Sequence, residues 1–161
     1  MLTIRNATAD DVPLILELIR ELAEYEKLAH LVVVTADDLR RDGFSERPSF
    51  HVLIAEWEGE PAGYALYFHN YSTFRGRPGL FLEDLFVRPQ FRRKGIGKTL
   101  LLHLARIAVE MGCSRFEWQV LDWNTPSIEF YRSLGAVVMK EWLTMRVTGE
   151  ALTKLAAQAA D

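Results

Sequence analysis

The apolar run 80–87 (LFLEDLFV) constrains the fold of this 161-residue chain more than any other segment. Only its central residues, Glu83 and Asp84, are polar, which is typical of a strand buried on both faces of a sheet. The following loop, 88–98 (RPQFRRKGIGK), is basic and leads into a helix with one apolar side. A strand of this kind needs helices on both sides of the sheet, so the chain is predicted to be α/β.

The other segments predict alternating strands and helices within a single domain, residues 1–161. Runs rich in β-branched and aromatic residues predict strands, and apolar residues at spacings of three and four predict helices. Together they predict a mixed, mostly antiparallel central sheet with helices on both faces. The predicted strands are 4–7, 50–57, 62–68, 80–87, 116–121 and 137–147, and the predicted helices are 8–25, 35–43, 95–111, 124–135 and a C-terminal tail.

The charge is distributed unevenly along the chain. The net charge is −3, yet loop 88–98 contains five Lys or Arg residues and no acid, so the remainder carries −8. A small cationic site on an acidic body favours a small anionic ligand together with a cationic co-substrate. Nucleic acid as a partner is not expected, because it needs a broad basic face.

Several other classes of protein are also not expected. Cys113 is the only cysteine, which excludes an intrachain disulfide and a zinc site built from cysteines, and the four histidines lack metal-ligand spacing, so no metal is predicted. No apolar run approaches the roughly 20 residues that cross a membrane. The N-terminus becomes acidic where a secretory signal would become apolar. We therefore expect a soluble, cytoplasmic protein with no membrane partner.

The loop contains the motif Arg-x-x-Gly-x-Gly, from Arg92 to Gly97. A Walker A loop would need glycine where Arg92 stands, and a dinucleotide fingerprint would need Gly or Ala where Leu100 stands. Glycines that let backbone N–H groups converge at a helix N-terminus suit a pyrophosphate.

This motif resembles the pyrophosphate loop of the GNAT superfamily of N-acetyltransferases, and the resemblance covers essentially the whole chain. Segments 18–28 (LIRELAEYEKL), 42–44 (DGF), 81–87 (FLEDLFV) and 121–136 (LDWNTPSIEFYRSLGA) are similar to the diamine acetyltransferase branch, which includes the spermidine/spermine and thialysine acetyltransferases. The resemblance implies a GNAT-like acyl-CoA N-acyltransferase fold and a homodimer. It also implies direct transfer, in a ternary complex, of acetyl from acetyl-CoA to a primary amine of a small diamine, polyamine or lysine-like substrate.

The resemblance assigns a set of residues to acetyl-CoA. They belong to the strand before the loop, the loop itself, and the short helix after the next strand, where the superfamily has a cofactor-contacting asparagine. A common alternative for a short glycine motif is a helix entry flanked by solvated cations. The assigned residues are Leu85, Phe86, Val87, Arg92, Arg93, Lys94, Gly95, Ile96, Gly97, Lys98, Asn124, Pro126 and Ser127.

Two residues are assigned catalytic roles. An amine with a pKa near 10.4 is free base in only about one molecule in 2,500 at pH 7, so a nearby proton acceptor is valuable. Glu83 is the candidate acceptor, acting directly or through water, and Tyr131 is the candidate acid for the coenzyme A thiolate. The alternatives are that Glu83 forms an ion pair within the fold and that Tyr131 is a core residue with its hydroxyl at the surface.

The acceptor site is predicted from the same resemblance. Tyr25 and Glu26 match positions that contact the polyamine, although they also fit the exposed end of the first helix, and Glu83 is expected to meet the amine. Asp84 should point to the opposite face of the strand and act as a weaker substrate or dimer contact. Glu117 and Gln119 are expected to face the cleft from the following strand, although Glu117 also fits a solvated position.

Two departures from the family pattern bear on the substrate. Tyr71-Ser72-Thr73-Phe74 stands where polyamine enzymes have Tyr-Asp-Pro-Trp, and Lys140-Glu141-Trp142 replaces Glu-Gly-Trp. The lost acid favours a thialysine-like substrate over spermine, and Lys140 would repel a second amino group unless Glu141 compensates its charge. Alternative functions are acetylation of a protein lysine or N-terminus, and a non-catalytic acyl-CoA-binding regulatory module.

Overall fold

One five-stranded sheet organises residues 1–119 of the computed structural model, which describes residues 1–160 of the chain. A second unit begins at Val120. In the first unit the elements are β1 (Leu2–Asn6), α1 (Val12–Tyr25), α2 (Ala36–Gly43), β2 (His51–Trp57), β3 (Glu60–Ser72), β4 (Arg77–Val87), α3 (Ile96–Glu110) and β5 (Arg115–Trp118). The second unit contains α4 (Thr125–Ser133) and α5 (Gly149–Ala156).

The strands lie in sequence order across the sheet. β1 to β4 pair antiparallel, and β5 is parallel to β4, which confirms the mixed, mostly antiparallel sheet. β2 and β3 form a hairpin through Glu58 and Gly59, whose φ angles are 50° and 83°. Two successive positive φ angles are typical of a type I′ turn, which matches the twist of the strands that it joins.

Helices cover both faces of the sheet, as predicted. α1 and α2 pack on one face, where Ile54, Tyr64 and Phe86 belong to their buried cluster. α3 contacts β2, β3 and β4, and Leu53 lines a groove with α3 residues. Because neighbouring strand residues point to opposite faces, α3 lies on the face opposite α1.

A β-bulge interrupts the alternation of β4 at Glu83. Leu66 of β3 pairs with Asp84 and the next residue, Tyr67, pairs with Leu82, so Glu83 has no partner in β3. The extra residue reverses the faces that follow it. Leu82 lies on the α3 face, whereas Asp84 lies on the α1 face.

β5 accompanies β4 for only part of its length. The ladder runs from Gly79–Arg115 to Leu82–Trp118, and β5 ends there, before the predicted 121. The backbone of β4 continues to Val87 without a β5 partner. The sheet is therefore open on that side beside the bulge.

The second unit differs from prediction in one element. The expected short helix and C-terminal helix are present, but residues 137–147 form no strand, so that prediction was wrong. Strand-like alternation is a local signal, whereas a strand also needs a hydrogen-bonded neighbour. The large apolar side chains of this segment are exposed, including Trp142 at 78%, Leu143 at 83% and Met145 at 89%.

Within residues 1–160, the helices are all too short or too polar to cross a lipid bilayer. The single-domain organisation and the cytoplasmic location stay predictions.

Candidate functional site

The loop between β4 and α3 has the backbone shape that the motif predicted. Arg93 and Gly95 have φ angles of 64° and 75°, in the left-handed region that glycine adopts without strain. α3 begins immediately afterwards at Ile96, which is buried. A Cβ at Gly97 would meet only Val87 Cγ2, at 3.8 Å, outside its own helix and chain neighbours. Packing therefore leaves room for a side chain there, and a helix N-terminus with this access fits a bound phosphate.

The loop cations lie at the protein surface. Arg92, Arg93, Lys94 and Lys98 are all exposed. Arg92 Nε donates a hydrogen bond to the Val87 carbonyl over 3.1 Å, and its guanidinium carbon lies 4.8 Å from the ring centroid of Tyr25. The Lys94 ammonium lies 4.7 Å from the ring centroid of Trp57. Four cations beside a helix N-terminus suit a diphosphate ligand.

The strand residues assigned to acetyl-CoA lie where β4 has no β5 neighbour. Phe86 is 5% exposed and its side chain packs in the α1 core, so it can offer only its backbone to a ligand. Leu85 and Val87 are partly buried. A ligand beside this segment would meet β4 as an open strand edge, whose backbone groups are able to hydrogen-bond an added chain.

An acidic cluster surrounds the hydroxyl of Tyr64, close to the end of α1. The Tyr64 hydroxyl donates to Asp84 Oδ2 over 2.9 Å. Burial is the main reason that the pKa of Asp84 rises to about 6, and the charges of Glu83 and Glu26 raise it further. Burial and the same three carboxylates also raise the pKa of Tyr64. Glu83 and Glu26 therefore lie close enough to Asp84 for their charges to act on it.

Tyr25 and Glu26 connect this acidic cluster with the basic loop. Tyr25 is the last residue of α1 and is 43% exposed, and Glu26 follows it as the C-cap. Burial raises the pKa of Glu26. Since Tyr25 contacts Arg92 of the loop, an anion site and a cation site lie at neighbouring positions. Glu83 itself is exposed at the bulge.

The other predicted substrate residues of the first unit lie on or after β5. Glu117 is partly buried and pairs with Phe81, and Gln119 is exposed one residue beyond the strand. Ser72, which stands where polyamine enzymes have an acid, is 6% exposed. Its Oγ accepts a hydrogen bond from the Arg75 backbone over 3.3 Å. Ser72 therefore stabilises the β3–β4 turn.

In the second unit, α4 carries the remaining predicted residues. Asn124 is the N-cap, and its Oδ1 accepts a hydrogen bond from the Ser127 backbone over 3.4 Å. Pro126 occupies the first turn, where its missing N–H costs no hydrogen bond. Tyr131 is partly buried, with its ring 5.6 Å from that of Phe130.

Sequence reasoning missed Tyr64, Trp57 and Arg88. Arg88 Nη2 binds Glu17 over 2.5 Å and Glu21 over 2.9 Å, which anchors the end of β4 to α1. A tyrosine in an apolar strand was the available signal for Tyr64, because a buried hydroxyl needs a partner. The contacts of Trp57 and Arg88 cross long stretches of sequence and leave no local pattern.

One further groove lies outside this site. A groove of about 400 Å³ lies between β1, β2 and α3, and the loop residues 92–98 do not line it. In the described part of the chain, His, Cys, Asp and Glu side chains form no group of three that could hold a metal ion.

Comparison with known proteins agrees with the geometry of the loop and the sheet. The profile of the Acetyltransferase (GNAT) family matches residues 15–136. The chain is 44% identical to the thialysine N-epsilon-acetyltransferase of Sus scrofa, over 95% of this chain and 96% of that protein. It is 37% identical to the human spermidine/spermine N(1)-acetyltransferase-like protein 1, over 95% of this chain but only 23% of that protein.

The fold also has a solved counterpart. An integron cassette protein from the mobile metagenome of V. cholerae superposes with a TM-score of 0.81 at 28% identity, covering 96% of this chain and 97% of that one. The resemblance predicted from the motifs is confirmed by the family profile and by relatives that match nearly the full length. The chain belongs to the Acetyltransferase (GNAT) family and is an acetyltransferase related to those that act on small amines.

Proposed function

We propose that the chain transfers acetyl from acetyl-CoA to the side-chain amine of a thialysine- or lysine-like small molecule. The observation that carries the proposal is the acidic cluster of Glu26, Glu83 and Asp84 beside a basic glycine loop. Three carboxylates attract a cationic amine, and the loop attracts a diphosphate. The likeness to thialysine acetyltransferases supports the same substrate class.

The reaction first requires a neutral amine, and carboxylates that attract the ammonium also help it to keep its proton, so a specific proton acceptor is needed. Deprotonating an amine with a pKa near 10.4 at pH 7 costs about 4.6 kcal/mol. Glu83 is exposed at the bulge and is the proposed acceptor of that proton, directly or through one water. Asp84 and Glu26 hold the cationic substrate before the proton leaves.

Transfer is proposed to be direct, within a ternary complex. The amine nitrogen attacks the thioester carbonyl, a C–N bond forms, and the C–S bond breaks. The leaving thiolate takes a proton from Tyr131, and the proton that the acylated nitrogen loses passes through water to the resulting phenolate. A phenol near pKa 10 and a thiol near 8.5 differ by about 1.5 units, so the unassisted step is uphill by only about 2 kcal/mol.

Ser72 and Lys140 support a short substrate over spermine. Ser72 is buried in a turn and offers no charge to a distal amine. Lys140 is exposed and adds a positive charge where the polyamine enzymes have an acid. A second or third distant ammonium therefore gains little attraction from these positions.

Release of free thiol from acetyl-CoA tests the proposal across a panel of thialysine, lysine, ornithine, putrescine, spermidine, spermine and a lysine peptide. We expect the highest kcat/KM with thialysine or another short amine and the lowest with spermine. Preference for the peptide would favour protein acetylation instead. Acetyl-CoA binding without turnover on any amine would favour a regulatory binding module.

Glu83→Gln tests the proposed proton acceptor, with Glu60→Gln in the β2–β3 hairpin as the matched control. Loss of a general base is expected to lower kcat/KM by about 100-fold or more at pH 7. The deficit should shrink at high pH, where more of the amine is already neutral. A Glu83→Gln enzyme with the activity of the control would assign the proton to another acceptor.

We also propose that the chain forms a homodimer. The exposed apolar side chains of residues 137–147 support this, because monomeric proteins rarely expose large contiguous apolar patches. Sedimentation of the purified chain should give twice the monomer mass of 18.5 kDa, whereas a monomer at micromolar concentration would contradict the dimer.

A further inference from the structure

We infer that Tyr25 and Trp57 are positioning residues for the loop: their ring faces hold Arg92 and Lys94 so that these cations meet the diphosphate of the donor. The inference rests on the proposed use of acetyl-CoA. It deepens that proposal by assigning a role to two aromatic residues that lie outside the motif, at the ends of α1 and β2.

Arg92 is held at two points. Its Nε donates to the Val87 carbonyl over 3.1 Å, and its guanidinium carbon lies 4.8 Å from the Tyr25 ring centroid and 5.8 Å from that of Phe86. Stacking uses the face of the guanidinium and leaves the donors on its edge available. In the described part of the chain, the Nη atoms of Arg92 form no hydrogen bond, and the side chain is exposed. An anion is the ligand that such donors bind.

Lys94 is held from the other side of the motif. Its ammonium lies 4.7 Å from the ring centroid of Trp57, the last residue of β2. Lys94 stands between Arg93 and Gly95, which both have positive φ angles, so its backbone direction is set by the turn. Trp57 is partly buried, and its backbone pairs with Leu2 and Glu60, which gives the ring a fixed platform.

These contacts explain how an exposed loop is ready for a diphosphate. Free Arg and Lys side chains lose rotamer freedom when they bind an anion, and this loss weakens binding. Aromatic faces that restrict the cations beforehand reduce the loss, while cation–π contacts leave the charge in place. The resemblance assigns Tyr25 to the acceptor amine. The geometry points to a role on the donor side as well.

A comparison of two donors tests this role. Acetyl-pantetheine carries the same thioester as acetyl-CoA but lacks the diphosphate. For Tyr25→Leu and Trp57→Leu, we expect the ratio of kcat/KM with acetyl-CoA to that with acetyl-pantetheine to fall about three- to thirtyfold. Any effect on the acceptor amine appears with both donors and cancels in the ratio. Tyr25→Phe and Trp57→Phe should restore most of the ratio, because the ring face remains.

Tyr71→Leu serves as the matched control, since Tyr71 is 65% exposed on β3 and contacts no loop cation. Its ratio should equal that of the wild type. An unchanged ratio in the Tyr25→Leu and Trp57→Leu variants would overturn the inference. So would an equal loss of ratio in the phenylalanine variants, because that result would not depend on a ring.

Binding without catalysis separates this inference from the proposed function. Calorimetric titration with coenzyme A and with pantetheine should show the leucine variants weakened for coenzyme A and not for pantetheine. If the wild type binds coenzyme A but acetylates no amine, the proposed function fails while this titration still decides the inference. If the wild type does not bind coenzyme A, both fail. Thermal unfolding of each variant verifies that it is folded.

Discussion

The hydroxyl of Tyr64 donates a hydrogen bond to Oδ2 of Asp84 over 2.9 Å, across the β3–β4 pair and beside the bulge at Glu83. Tyr64 is fully buried, so this bond satisfies a hydroxyl that water cannot reach. It also fixes a carboxyl whose pKa is raised to about 6, mainly by burial. The acidic cluster is therefore anchored in the core of the sheet.

Asp84→Asn is expected to flatten the pH dependence of stability while keeping an acceptor for Tyr64. The pKa of Asp84 is higher in the folded chain, about 6, than its ordinary 3.8, so the protonated carboxyl favours the folded state. Its contribution is fully present below about pH 4 and is lost as the pH rises through about 6. At pH 8 the variant should be about 1–3 kcal/mol more stable than the wild type, and at pH 4 nearly equal.

Urea unfolding at pH 4, 6 and 8 measures this difference. An identical pH dependence in the variant and the wild type would show that Asp84 is not the titrating group. The same variant should bind the amine more weakly at pH 8, because one of the three charges of the cluster is gone.

Tyr131→Phe should lower kcat by about 10²–10⁴-fold, because the departing thiolate loses its acid. The affinity for acetyl-CoA, measured by calorimetry, should stay within about twofold of the wild type. Tyr71→Phe is the matched control, since it removes a phenol from an exposed position. A Tyr131→Phe enzyme with normal kcat would exclude the tyrosine as the acid.

Alanine substitutions at the two loop glycines, Gly95 and Gly97, are expected to have different effects: one on stability and the other on coenzyme A binding. Gly95 has a φ of 75°, so Gly95→Ala strains the backbone and should destabilise the fold by about 1 kcal/mol, although a Cβ there meets no atom within 4 Å. Gly97→Ala makes only an ordinary contact with Val87, at 3.8 Å, and, because alanine favours a helix more than glycine does, should not lower the Tm.

At Gly97, however, an added methyl group occupies the approach to the helix N-terminus. Gly97→Ala should therefore weaken coenzyme A binding by tenfold or more with no loss of stability. Differential scanning fluorimetry and calorimetric titration on the same two variants check both statements. Equal losses of Tm in the two variants would mean that Gly97 serves packing.

Arg88→Met is expected to destabilise the fold by about 2–4 kcal/mol, because it leaves Glu21 partly buried without its cation. The Arg88 side chain is only 14% exposed, so water screens the pair weakly. Arg41→Met breaks an ion pair whose arginine is 65% exposed and should leave the stability nearly unchanged, because water screens the pair. Urea unfolding at pH 7 compares the two variants, and similar effects would contradict the role given to Arg88.

Most helices and strands of the first unit could be predicted from the sequence because the patterns that define them are local. Val12, Ile15 and Leu22 are buried along α1, as expected from apolar residues at helical spacing, whereas Ile19, expected with them, is only partly buried and Leu18 is buried instead. Glycine residues mark the ends of two elements. Gly59 lies in the turn after β2, and Gly112, with a φ of 72°, follows α3; both have positive φ angles, which glycine adopts readily. Such features need no knowledge of distant residues.

The contacts that form the candidate site could not be predicted in the same way, because each of them joins residues far apart in the sequence. The Tyr64–Asp84 bond spans two strands, and the Arg92–Tyr25 contact joins the loop to the first helix. A bulge changes which residues face each other without changing the composition of the strand. The strand prediction for residues 137–147 was wrong because it used only the local pattern. The pattern is typical of a strand, but these residues pair with no other strand.

The bulge at Glu83 makes the length of β4 as important as its composition. Leu80 and Leu82 lie before it and Asp84 and Phe86 after it, and the pairs face opposite sides of the sheet although all four numbers are even. Deleting one residue here would rotate either half of the strand by half a turn, which would expose core side chains or bury the wrong ones. Substitutions at position 83 therefore alter chemistry alone, whereas insertions and deletions there alter the whole arrangement, so related chains should keep the spacing at this point.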